Sequence, residues 1–90
     1  MTQSQIFLCV AAERLRQSDL LRKNPDWVDI SSIHTSHTAR LPVLLEEVGE
    51  VAKAMNDHDE GAMAIELIQV MAVCSAWLET RPRPCPPLPS

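Results

Sequence analysis

The chain is poor in the residues that build strands. It has two glycines, no tyrosine and three aromatic residues in all, Phe7, Trp27 and Trp77, and no run of alternating β-branched residues. Without these a sheet has neither its turns nor its preferred side chains, so the fold expected is all-α. Positive charge is also short. Eight Lys and Arg stand against twelve Asp and Glu, a net charge of −4, which argues against a nucleic-acid polymer as partner. Cys9, Cys74 and Cys85 are odd in number and lack metal-ligand spacing, which suits a reducing cytoplasm better than a disulfide framework. No signal peptide is visible, and the longest apolar stretch is interrupted by Glu66, Gln69 and Ser75, so no membrane span is expected.

Ninety residues make one domain at most, and a chain this short buries only about 60–65% of its unfolded surface. Three helical patterns fill it. The first covers about residues 4–21, where Ile6, Phe7, Val10, Ala11 and Leu15 recur at helical spacing, and Asn24-Pro25 stops it. Residues 26–38 have no period and read as a long loop, a length that is often functional. The second helix starts between residues 38 and 42 and ends near residue 56. Its apolar stripe of Leu41, Leu44, Leu45, Val48, Ala52 and Met55 is the expected core face. Asp57 with Glu60 three residues on reads as a capping box for a third helix. From residue 81 the text turns to RPRPCPPLPS, expected as an extended proline-rich tail, leaving residues 1–80 as the domain.

The third helix is apolar all round, so it is expected to be buried, partly against another copy of the chain. Two short helices cannot cover it, and the expected architecture is a bundle of about three helices per chain completed in a homodimer or homotetramer. Leu67, Val70, Met71, Cys74 and Leu78 are the candidate interface residues. Glu66 and Gln69 lie inside this apolar helix. A lone carboxylate there costs several kcal/mol unless a cation or donor compensates it. The compensation can be an Arg or Lys of the first helix or of a partner, or a metal ion.

Spacing favours the metal. Glu47 and Glu50 sit three residues apart in LLEEVGEVAKA, as Glu66 and Gln69 do in AIELIQVMAVCSAW, so each pair shares a helix face. Two such pairs on packed helices make an oxygen-lined site of the kind Mg²⁺ takes.

The order EExxE, fifteen residues, then ExxQ resembles the MazG-type all-α nucleotide pyrophosphohydrolases, whose signature is EExxE followed by ExxD. LLEEVGEVAKA, ELIQVMAVCSAWLE and AERLRQ carry the resemblance, over about residues 11–80. It implies hydrolysis of a nucleoside triphosphate to monophosphate and pyrophosphate, with Mg²⁺ or, in its place, Mn²⁺. It implies Glu47, Glu50, Glu66 and Gln69 as metal ligands. It gives Glu46 the role of orienting or deprotonating the attacking water, unless Glu46 is a solvated neighbour. Gln69 departs from the pattern, offering a carbonyl oxygen but no charge. That departure keeps a rival in view: a helical oligomer with a lapsed site that binds nucleotide weakly or acts as an interaction module. A third reading changes the substrate to a phosphoribosyl-nucleotide. Lys53 and Arg40 are the first candidates to hold phosphates, with Arg14, Arg16, Lys23, His34 and His37 behind them. Trp27 either stacks on a base or closes the core under the loop.

Overall fold

The structure, a computed structural model, describes residues 1–82, 84, 86, 87 and 89. Helix α1 spans Gln3–Lys23, α2 His37–Asn56 and α3 Glu60–Glu79, and the described residues contain no strand. Each helix starts at a side-chain cap. Thr2 and Gln5 form a reciprocal capping box on α1, with Thr2 N–H donating to Gln5 Oε1 at 2.8 Å and Gln5 N–H to Thr2 Oγ1 at 3.2 Å. Ser36 caps α2 by accepting Ala39 N–H at 3.2 Å. The helix thus begins at His37, one residue before the range expected from the proline. Pro42 therefore sits beyond the first turn, where it has no N–H for the helix ladder.

The α2–α3 turn corrects another expectation. Asp57 does not open α3; it closes α2. His58 follows in the left-handed region, φ 54°, and two bonds knit the turn, His58 N–H to Met55 O at 3.1 Å and Asp59 N–H to Ala54 O at 3.0 Å. This is a Schellman ending with histidine where glycine is usual. Asp59 then caps α3 by accepting Ala62 N–H at 3.0 Å. The cap shifted by two residues because Asp57 was already consumed by the preceding helix.

α3 lies in the middle. It packs against α1 on one side and α2 on the other, while α1 and α2 do not pack on each other. The fully buried apolar residues are Ile30 from the loop, Ala54 from α2, and Ala72, Val73 and Ala76 from α3, with Val43 and Leu44 packed against them. α1 has no fully buried residue. Across its packing with α3, Arg14 donates to Ser75 Oγ at 2.9 Å and pairs with Glu79.

The face of α2 that meets α3 keeps only Leu44 of the stripe expected from periodicity. Arg40 and Ala54 are buried and Val43, Glu47 and Val51 partly so, whereas Leu41, Leu45, Val48 and Met55 are exposed, Leu45 and Met55 at 59%. α2 has two apolar directions, and the chain itself uses the mixed one. α3 shows the same surplus, with Ile65, Leu67, Met71 and Leu78 exposed. By length and composition α3 alone could cross a membrane; here it is the central helix, with Glu66 and Gln69 turned to Glu47 of α2. It ends at Glu79 with Thr80 as its cap. Arg81, Pro82 and the described tail residues beyond carry no helix or strand; residues 83, 85, 88 and 90, part of the expected tail, lie outside the described residues.

Candidate active site

The loop between α1 and α2 is held from below by one buried side chain. Arg40, 2% exposed, donates from Nε to Ile30 O at 2.9 Å and from Nη2 to Ser32 O. Five fixed donors suit such loose carbonyls. Arg40 is therefore a structural anchor and not the phosphate ligand expected from its place before the acidic run. Sequence alone could not show that the loop would fold back over its first turn. Asp29 tightens the loop further by accepting from Ser31 N–H and Oγ–H at 2.9 and 2.6 Å.

The anchored loop roofs a cavity of about 250 Å³. Its wall takes Arg14 and Arg16 from α1, Trp27 and Ile30 from the loop, Glu47 from α2 and Val73 from α3. Trp27 is 55% exposed at this wall, so it does not close the core.

Beside the cavity the acids of two helices meet. Glu47, Glu66 and Gln69 come together between α2 and α3, all partly buried. The Gln69 amide, oriented as the hydrogen bonding requires, donates to Glu66 Oε2 at 2.6 Å and to Glu47 Oε2 at 3.0 Å. The pKa of Glu47 is raised above the usual glutamate range. Burial is the main cause; next come the charge of Glu66 and a hydrogen bond shared with it, then the charges of Glu46 and Glu13. Among the described residues no cation is ion-paired with Glu66, so the purely salt-bridged reading of that residue does not hold within one chain.

Glu46 and Glu50 are exposed. With Lys53 they recur at i, i+4 and i+7, which sets them on the solvent face of α2 next to the Glu47 direction. Lys53 takes no part in the cavity wall. His37 is engaged elsewhere, accepting Trp77 Nε1–H at Nδ1 at 2.8 Å.

The residue that sequence reasoning missed is Glu13. Its side chain is 11% exposed and accepts both arms of Arg16, Nε at 2.8 Å and Nη2 at 2.5 Å, with Gln17 Nε2 at 3.3 Å. α1 has an ordinary amphipathic polar side in which Glu13 carries no mark. Only the packing of α1 on α3 brings it within reach of Glu47.

The donor set tests whether a divalent cation suits the site. Among the described residues no group of three or more His, Cys, Asp and Glu is arranged as a cage. Two carboxylates are gathered, however, bridged by the Gln69 NH2, and Glu47 already bears the repulsion a cation would relieve. Mg²⁺ is commonly held by one or two carboxylates with waters and substrate phosphates completing its shell. The residues fit that kind of site.

The described residues thus form an all-helical domain with Glu47 and Glu66 facing each other across two helices, beside a cavity with an aromatic residue in its wall. The sequence profile of the MazG nucleotide pyrophosphohydrolase domain matches residues 35–80, just over half the chain, and the protein belongs to that family. No curated protein and no solved structure matches the chain. Membership points to a hydrolase of nucleotide pyrophosphates in general, in a family that generally depends on a divalent metal.

Proposed function

We propose that the protein hydrolyses a nucleoside triphosphate to the monophosphate and pyrophosphate with Mg²⁺, or Mn²⁺ in its place. The observation that carries this reading is the meeting of Glu47, Glu66 and Gln69 next to a cavity of about 250 Å³ with Trp27 in its wall. Glu47 and Glu66 would hold the metal, the Gln69 amide would have to turn its oxygen inward to join them, and Glu50 would join from its place one turn along α2. A bound divalent cation would supply neutralisation of the charge that develops on the phosphates.

The chain's own groups do the rest. Trp27 and the apolar wall beside it accept the base and exclude water from one side. Glu46, exposed next to Glu47, takes a proton from the attacking water as its oxygen bonds to the α-phosphorus. The bond from that phosphorus to the bridging oxygen breaks, and pyrophosphate leaves with the electron pair. Lys53, on the same face as Glu46 and Glu50, meets the leaving phosphates from the solvent side.

The same reading makes the protein a homo-oligomer. Five small or medium residues form the fully buried apolar core, too few to hold three helices of about twenty residues each. A second copy laid on the exposed stripe of α2 and on Leu67, Met71 and Leu78 of α3 supplies the missing burial. Cys9 and Cys74 are free thiols, in keeping with a cytoplasmic home.

The test is release of pyrophosphate from a panel of nucleoside triphosphates, with and without Mg²⁺, by the native chain and by Glu66→Gln. Mg²⁺-dependent release that Glu66→Gln abolishes supports the proposal. No release from any nucleotide by the native chain defeats it and leaves the lapsed binding module.

A further inference from the structure

Arg16 stands between two fates. It is half-exposed, its side chain 53% accessible, and it lies in the cavity wall with Glu47. Its fork is taken by Glu13, which is much more buried than Arg16 itself. Glu47 and Glu66 are near enough to reinforce its charge. The other cation of the cavity wall, Arg14, is committed to Ser75 and Glu79 and holds α1 on α3. Arg16 is thus the one cation of that wall whose partner belongs to the acidic group. We propose that Arg16 is an exchangeable counter-ion. In the metal-free protein it balances Glu13 and the acids beside it, and when a metal-bound triphosphate arrives it turns from Glu13 to a phosphate oxygen. The inference rests on the proposed function and names the residue that recognises phosphate at its site.

The chemistry suits the exchange. Guanidinium binds carboxylate and phosphate with the same planar fork, so one geometry serves both partners. A cation entering among Glu47, Glu66 and Gln69 would take over the charge balance that Arg16 provides and repel it. A phosphate in the cavity would then offer Arg16 a doubly satisfied alternative. Glu13, relieved of Arg16, keeps Gln17 as its donor.

The test uses the full chain, isothermal titration, and two probes: Mg²⁺ alone, and inorganic tripolyphosphate in the presence of Mg²⁺. Arg16→Gln should lose about tenfold or more in tripolyphosphate affinity, the effect of one charge-assisted contact. It should bind Mg²⁺ alone as tightly as the native chain or more tightly. Arg16→Lys should recover part of the lost affinity. Arg16→Gln that weakens Mg²⁺ and tripolyphosphate alike would show a residue that only shapes the site and would overturn the proposal. Unchanged tripolyphosphate affinity would overturn it too. Should Arg16→Gln fail to fold, Glu13→Gln decides: with Arg16 released it should bind tripolyphosphate more tightly, and weaker binding rejects the exchange. A native chain that binds neither probe would bring down the proposed function and this inference together. A native chain that binds both, beside an Arg16→Gln chain that does the same, brings down the inference alone.

Discussion

Glu47 carries an energetic consequence that can be read without any nucleotide. Its raised pKa means the folded protein holds the Glu47 proton more tightly than the unfolded chain does. The stability this group contributes is fully present below the unfolded glutamate value of about 4.3 and is lost as pH rises through the folded value. The melting temperature of the metal-free protein should therefore fall from about pH 4.5 toward neutrality, and Glu47→Gln should flatten that fall and melt higher at pH 7. Mg²⁺ should raise the native chain at pH 7 and leave Glu47→Gln nearly unmoved. Gln69 is the complementary probe. Its amide now tethers both carboxylates; Gln69→Asp replaces that tether with a third negative charge. The metal-free protein should lose stability, and Mg²⁺ affinity should rise as another carboxylate enters the shell. A Gln69→Asp chain that is metal-free stable and binds Mg²⁺ unchanged would place residue 69 outside the metal's reach. At this scale the sequence was informative where chemistry is local. Glu66 and Gln69 were legible because an acid and an amide in an apolar helix require an account, and Glu47 because its spacing with Glu50 repeats theirs. Glu13 and Arg40 were not, because an arginine in the first turn of a helix and a glutamate on a polar face look alike whether they are solvated or folded inward.

The elements were legible to within a turn, and their ends failed where two neighbours compete for one residue. Asp57 could cap either helix, and the Schellman turn gave it to α2. That turn is paid for by a histidine at φ 54°. His58 is exposed, so His58→Gly removes little else, and it should stabilise the protein by about 1 kcal/mol, the cost of a side chain in the left-handed region. Thermal or urea unfolding reads this directly; a loss of stability would mean that the histidine side chain supports the turn. Asp59→Ala should cost about 1 kcal/mol through the lost cap of α3, whereas Asp57→Ala, at a C-terminal cap, should cost less. The reversed order in the same unfolding series would restore Asp57 as the residue that opens α3. The choice of core face on α2 was not legible for a different reason. Periodicity reports that a face is apolar and not what covers it, and on α2 the more apolar direction is the one left outside.

For the whole molecule that outward stripe is the testable feature. Val48 lies at its centre and is 47% exposed. In an isolated chain Val48→Glu would be an ordinary surface change, within about ±0.5 kcal/mol. Across a two-fold contact it would place like charges together and break the assembly. Light scattering should give a native species larger than one chain and a Val48→Glu species of lower mass and lower melting temperature. A native chain that is folded and monomeric at micromolar concentration would refute the oligomer.

The central position of α3 has a consequence for how the molecule opens. Of the other two helices α1 packs only on α3, has no fully buried residue, and is tied down by Arg14 at Ser75 and Glu79. The α2–α3 pair shares the buried residues and the knitted turn. α1 is then the least costly part to release, and its release carries Glu13 and Arg16 away while Glu47, Glu66 and Gln69 stay in register. Amide hydrogen exchange on the dissociated Val48→Glu chain should show α1 exchanging as one early unit and the α2–α3 hairpin late. Release of α1 would thus remove the cavity wall that carries Arg14 and Arg16 and leave the loop held on α2 by Arg40.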